Sequence, residues 1–151
     1  MTEHDAAAGP RRVRCVGAVI RDDAGRLLLI QRGHEPAKGS WSVPGGRVEP
    51  GETDSQAVQR EIAEETGLVV QVGALTGRVE RPGGPGVVYE IYDYDAVLVP
   101  DAVSVEADAQ GPGRAADDAA DLTWATRAEM DRLPLTDGLV EALTAWDRMP
   151  R

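Results

Sequence analysis

Glu61, Glu64 and Glu65 stand at positions i, i+3 and i+4 of a segment with helical patterning, and this spacing constrains the chain more than any other feature. On a helix it places all three carboxylates on one face. Like charges grouped this way destabilise an isolated helix by roughly 0.2–0.5 kcal/mol per unfavourable pair. Val58 and Ile62, four residues apart, anchor the same helix to a sheet and leave the carboxylates at its border. A divalent cation makes such a cluster tolerable, because Mg²⁺ takes hard oxygen ligands and is well served by a few carboxylates plus substrate phosphates. Ahead of the helix, Gly45 and Gly46 let the backbone approach a ligand closely and offer a carbonyl oxygen to it. Taken alone, the triplet is more often the mark of an acidic surface helix that follows a β-turn, because charge runs usually are solvated faces.

The remaining chain reads as one domain of residues 13–151 behind a disordered tail of residues 1–12, which shows no periodicity. Arg14–Ile20 and Arg26–Gln31 are strand candidates joined as a hairpin by Asp22-Asp23-Ala24-Gly25. A short strand, Trp41–Val43, stops at Pro44-Gly45-Gly46. Thr53–Thr66 is the helix, with Thr53 and Gln56 spaced as a capping box, Asp54 in its first turn and Gly67 as its stop. Leu68–Val79 and Val87–Val99 are strands around the Arg81–Gly86 loop. Ala107–Ala120 reads as a mobile loop, Leu122–Ala125 as a short strand, Arg127–Leu133 as a helical turn and Asp137–Trp146 as a packed terminal helix. The order β-β-β-α-β-β-β-α implies a mixed sheet with helices against it.

A formal charge of −10 excludes long nucleic acid as a partner, since a polyanion is repelled. A small anionic substrate remains open if cations stand between it and the glutamates. Lys38 is the only lysine, and the other basic side chains are arginines suited to two-pronged phosphate contacts. The single cysteine, Cys15, lies in an apolar run and reads as a core residue in a reducing, cytoplasmic setting. No run approaches the ~20 apolar residues of a membrane helix, so no membrane partner is expected. A homodimer is compatible with the sequence.

The full spacing, Gly46, Glu52, Arg60, Glu61, Ile62, Glu64, Glu65, Gly67 and Leu68, matches G-x5-E-x7-R-E-U-x-E-E-x-G-U at every fixed position, where U is aliphatic. The chain thereby resembles the MutT-related Nudix hydrolases, closely over residues 41–68 and more loosely over residues 13–147. The resemblance implies an α/β fold, the Nudix α/β/α sandwich with a mixed β-sheet. It further implies hydrolysis of a nucleoside diphosphate linked to another moiety, with Mg²⁺ or Mn²⁺. Under it, Glu61, Glu64, Glu65 and the Gly46 carbonyl are metal ligands, Arg60 orients a glutamate and braces the loop, and Glu52 and Gly67 are structural.

Outside the box, Arg32 at a strand end is a candidate phosphate contact. Asp118, on the loop before Trp124, is the candidate general base, with Glu64 as the other choice, while Asp121 reads as structural. Trp41, Tyr92 and Tyr94 read as packing residues and His34 as a loop residue. The ADP-ribose pyrophosphatase-like branch is the leading resemblance, which Pro82 downstream of the box supports, and the substrate is then ADP-ribose or a sugar nucleotide. A MutT-type enzyme for oxidised nucleoside triphosphates is the alternative, although Val43 replaces the Phe or Leu usual there. A nucleotide-sensing Nudix module without activity is the alternative of another class; such modules typically lose glutamates that this chain retains.

Overall fold

In chain order the computed structural model contains β1 (Arg11–Ile20), β2 (Leu27–Arg32), β3 (Trp41–Ser42), β4 (Gly45–Arg47), α1 (Asp54–Thr66), β5 (Val70–Pro82), β6 (Val87–Leu98), β7 (Ala119–Ala125), α2 (Arg127–Met130) and α3 (Leu139–Ala145). It describes residues 9–35, 37–99, 113–116 and 119–151. Among these no helix is long and apolar enough to cross a membrane. β1 is buried without alternation from Cys15 to Ile20, the pattern of a strand covered on both faces. It accordingly takes an inner position in a mixed sheet of order β4-β1-β6-β5, parallel to β6 and antiparallel to β4. β2 is the centre of a second, antiparallel sheet of order β3-β2-β7.

Period two along the strands splits the apolar residues into two cores. Val16, Ala18 and Ile20 of β1 pack with Leu28, Trp124 and the Val58–Ile62 stripe of α1. Val19, Leu27, Leu29 and Trp41 pack the other way, against Met130, Leu139 and Leu143. Helices on both sides of the strands make the architecture an α/β/α sandwich, as the box implied.

The structure corrects four readings. The Asp22–Gly25 turn exists, but β1 and β2 belong to different sheets: antiparallel pairing is confined to the Arg21–Leu27 bridge beside the turn, and beyond it the two strands pack through their side chains. Two buried strands in succession pack better face to face than edge to edge. Pro44-Gly45-Gly46 does not simply stop a strand, because Gly45–Arg47 pairs with Gly17–Cys15 as an edge strand. β1 begins at Arg11, inside the segment read as a tail, because β6 is long enough to pair Arg11 with Val87 and Arg12 with Val88. β5 runs to Pro82, so the Arg81–Gly86 loop shrinks to residues 83–86. Most of the loop read at residues 107–120, including Asp117 and Asp118, lies outside the described residues.

Ile62 is fully buried between α1 and the mixed sheet. Ile62→Ala should lower unfolding free energy by about 2–5 kcal/mol, whereas Thr53→Ala, which removes only the cap, should cost about 1 kcal/mol. Urea denaturation separates the two, and similar losses would mean that α1 is not seated as described.

Candidate active site

α1 is held at both ends before any glutamate matters. Thr53 Oγ1 accepts from Gln56 N at 3.1 Å and Gln56 Oε1 accepts from Thr53 N at 2.9 Å, the capping box expected from the sequence. Arg14 donates two bonds to Asp54, at 2.8 and 2.6 Å, and the Tyr94 hydroxyl donates a third at 2.5 Å, so the first turn is tied to β1 and β6. Arg14 also stacks 3.8 Å from the Tyr92 ring centroid. These bonds hold the Asp54 carboxyl below its ordinary pKa, with the Arg14 bonds as the main cause. At the far end Gly67 takes the left-handed conformation (φ 72°) and donates to Ala63 O.

Seated this way, α1 turns Val58 and Ile62 into the core and its carboxylates toward β4. Glu65 is 5 % exposed and accepts from the Gly45 N–H at 2.9 Å. The Glu61 carboxyl lies so near Gly46 that a Cβ there would stand 2.5–2.6 Å from its atoms. Any side chain at Gly46 would push the Glu61 carboxyl away. Glu61 and Glu65 are thus brought against the very turn that the sequence singled out.

Arg60 sits among the carboxylates. It donates to both oxygens of Glu52, at 2.7 and 3.0 Å, and to the Arg47 carbonyl at 2.9 Å. Its Nη1 reaches Glu61 at 2.8 Å and both oxygens of Glu64 at 3.3 Å. These bonds raise the Arg60 pKa, the Glu52 pair first, and Arg60 in turn holds Glu52 below the ordinary carboxylate range. The glutamates lie at the negative end of α1, whose last turn has no basic residue. Backbone N–H groups of Arg114 and Ala116 instead bond the Thr66 and Glu65 carbonyls, both at 2.9 Å.

The donor set suits a hard divalent cation, since it consists of carboxylate and carbonyl oxygens and the Gly46 cradle leaves no side chain in the way. Among the described residues, however, no three His, Cys, Asp or Glu side chains converge as a ready-made cage. Arg60 Nη1 occupies the carboxylates instead. Nη1 engages only one oxygen of Glu61, so the other is not taken up by Arg60.

Arg32 ends β2 and pairs, after a bulge, with Ala119 of β7. Asp118 lies outside the described residues. Asp121 accepts from the Leu122 N–H within β7, in keeping with a structural part. Trp41 is buried in the second core, and Tyr92 and Tyr94 pack against the first. His34 bonds the Glu35 carbonyl in its loop. Burial pushes the Cys15 thiol up to about 11, so at neutral pH it is a small apolar group.

Sequence reasoning missed Asp93, which is 6 % exposed, with an Oδ1 that has no hydrogen-bond partner. Burial pushes its carboxyl up to about 6. The signal was present: in β6 it alternates with Tyr92 and Tyr94, so it had to point to the other side of the sheet.

Arg60 gives the cluster a definite pH signature. A depressed carboxylate pKa contributes stability above the unfolded value and loses it as pH falls through the folded one. Glu52 is the carboxylate that Arg60 holds low, so the stability lent by this pair is present near neutral pH and lost in acid. Arg60→Met, in chelator, should therefore show its largest fall in Tm near pH 7, shrinking below about pH 4 where carboxylates protonate. A pH-independent deficit would show that Arg60 acts by packing alone.

The NUDIX domain family matches residues 11–145 of this chain. An ADP-ribose pyrophosphatase from Methanocaldococcus jannaschii is 48 % identical over 67 residues, 44 % of this chain and 39 % of that protein. A MutT-like protein from Streptomyces ambofaciens is 43 % identical over 79 residues, 51 % of this chain and 49 % of that one. The chain thus spans half or less of the length of these curated relatives. Among solved structures, a MutT NUDIX hydrolase from Burkholderia pseudomallei superposes with a TM-score of 0.73 at 29 % identity, over 89 % of this chain and 97 % of that one. With the family matched across nearly all of the chain and the box residues gathered at one end of α1, this protein belongs to the Nudix family.

Proposed function

We propose that the protein is a metal-dependent pyrophosphohydrolase that cleaves a nucleoside diphosphate linked to another moiety, with Mg²⁺ or Mn²⁺ as its ion. The observation that carries this reading is the approach of Glu61 to Gly46 and of Glu65 to Gly45, with Arg60 bridging Glu52, Glu61 and Glu64. Such an arrangement has no use in an acidic surface helix, where the carboxylates would face solvent singly.

Glu61, Glu64, Glu65 and the Gly46 carbonyl would hold the ion. Bound there, it would supply positive charge at the phosphate oxygens and a water acidic enough to attack phosphorus near neutral pH. Arg60 keeps the loop on the helix through Glu52 and the Arg47 carbonyl, so that Gly46 stays in register with Glu61. Glu52 and Gly67 serve that geometry rather than the reaction. Arg32 is assigned a phosphate contact.

The proton of the attacking water is assigned to Asp118. Its described neighbours support the choice: Ala116 is bonded to the Glu65 carbonyl and Ala119 is paired with Arg32. Glu64, the most exposed carboxylate of the triplet at 42 %, is the second candidate. The curated relatives bear names for ADP-ribose and for MutT-like activity, so ADP-ribose or a sugar nucleotide and an oxidised nucleoside triphosphate are the two substrate classes.

Purified protein assayed with Mg²⁺ against ADP-ribose, sugar nucleotides and nucleoside triphosphates should turn over at least one class. Activity should vanish in chelator, return with Mn²⁺ and return poorly with Ca²⁺, which prefers a larger, more flexible shell. Full turnover in metal-free chelator would end the reading. Asp118→Asn should lower kcat at least tenfold with an unchanged Tm, within the usual ~10²–10⁴-fold range for a positioned base. If kcat is unaffected, the proton goes to Glu64, and Glu64→Gln should then show the loss.

A further inference from the structure

Across the mixed sheet, Gly45, Gly17, Asp93 and Gly77 fall in one row, one residue from each of the four strands. Asp93 carries the only side chain of that row. On the β5 flank the Trp146 indole fills the space that a Gly77 Cβ would take. On the β1 flank the Asp93 carboxyl lies on bare backbone. Its Oδ1 stands where a Gly17 Cβ would be, and the Pro44 carbonyl oxygen is 3.3 Å from that same point. The carboxyl of β6 and the carbonyl just ahead of β4 thus border one gap, which is open because residue 17 is glycine.

An ionised carboxylate suits this gap badly. Oδ1 is sealed from solvent, and among the described residues no donor reaches it. The group it shares the gap with presents an oxygen as well. Protonation removes both faults, because the acid O–H is a donor and a carbonyl oxygen has two lone pairs. One lone pair of Pro44 accepts from the Ala18 N–H at 3.0 Å, which leaves the other for Asp93. Burial already favours the neutral form and pushes the carboxyl up to about 6. The other charged or titratable groups on this face are Cys15 of β1, Arg47 of β4, Arg81 of β5, Tyr89 and Asp95 of β6, and Arg148 beyond α3. Arg81 favours the charged form of Asp93, but burial outweighs it. Asp95 is held ionised by two Arg148 bonds of 2.9 Å.

We propose that Asp93 is a positioning residue: as a carboxylic acid it donates to the Pro44 carbonyl and so pins the Pro44-Gly45-Gly46 turn to β6. The turn is where such a pin matters. Gly45 donates to Glu65 at 2.9 Å, and Gly46 lies against the Glu61 carboxyl. Pro44 has no N–H, so its carbonyl is the main-chain atom by which its end of the turn is held. The consequence for the ion rests on the reading above, in which the Gly46 carbonyl and Glu65 are its ligands. The bond itself does not.

Two variants test the pin. Asp93→Asn keeps the shape and a donor at every pH, whereas Asp93→Ala has no donor. In metal-free protein below pH 6, the Gly45 and Ala18 amides should exchange as slowly in Asp93→Asn as in the wild type. In Asp93→Ala they should exchange about two- to tenfold faster, the worth of one hydrogen bond. As pH rises through the Asp93 value, protection in the wild type should fall toward that of Asp93→Ala, while Asp93→Asn keeps it. A raised carboxyl pKa lends stability that is complete below the unfolded value, about 3.9, and lost as pH rises through the folded one. The Tm of Asp93→Asn should therefore gain on that of the wild type over this interval. Mn²⁺ affinity, read by electron paramagnetic resonance, should follow the same order as amide protection. Unchanged exchange in folded Asp93→Ala, or wild-type protection that does not fall as Asp93 ionises, overturns the proposal. Protection that depends on Asp93 in a chain that binds no Mn²⁺ would uphold the pin while removing the metal reading.

Discussion

The Arg60 guanidinium has five donors and bonds three carboxylates and a carbonyl, and the geometry of the candidate site depends on how those donors are shared. Two arms of the planar fork are fixed on Glu52 and one on the Arg47 carbonyl. They join the loop between β4 and α1 to the middle of the helix, and through the loop they hold β4 on the edge of β1. Because the pair is two-pronged and only about one-fifth exposed, it is far from the weak, solvated kind of surface ion pair. The remaining arm on Glu61 and Glu64 is of another kind. It supplies positive charge that a divalent ion would supply better, so it is exchangeable where the Glu52 arms are not. A lysine could not divide its charge in this way, having no rigid fork.

The sheet keeps two kinds of work apart. Its α1 side carries the carboxylates and an apolar core that fixes them, while the opposite side carries Asp93, the glycine row and the indole of Trp146. β4 links the two, since Gly45 bonds Glu65 and also stands in the row with Gly17. A change in how β4 sits on β1 would therefore be felt on both sides at once.

How much of this was legible in the residues follows from which interactions are local. The capping box, the Gly67 stop and the apolar stripe of α1 involve residues within a few positions of one another, and the structure reproduces each of them. The resemblance implied that Arg60 orients a glutamate and braces the loop, but its pairing with Glu52, its bond to the Arg47 carbonyl and the reach of Nη1 to Glu64 depend on a loop path that spacing does not encode. The Asp22–Gly25 turn was right as a turn and wrong as a hairpin, because pairing partners are chosen by burial on both faces, a property of the whole sheet. β4 was hidden for the same reason: two glycines have poor strand propensity, and it is the close approach of β1 that makes them pair. Asp93 could be placed on an inner face by alternation, yet nothing local says that its neighbours across the sheet are glycines.

The carbonyl end of α1 is closed by the main chain of residues 114 and 116 and by Gly67. Amide donors neither titrate nor attract counterions, so these bonds themselves are not weakened by acid or salt. The glutamates it carries are sensitive to all of these. The scaffold is thus indifferent to the solution conditions that its own cargo of charge must respond to, and ion exchange at the carboxylates can proceed without loosening the helix beneath them.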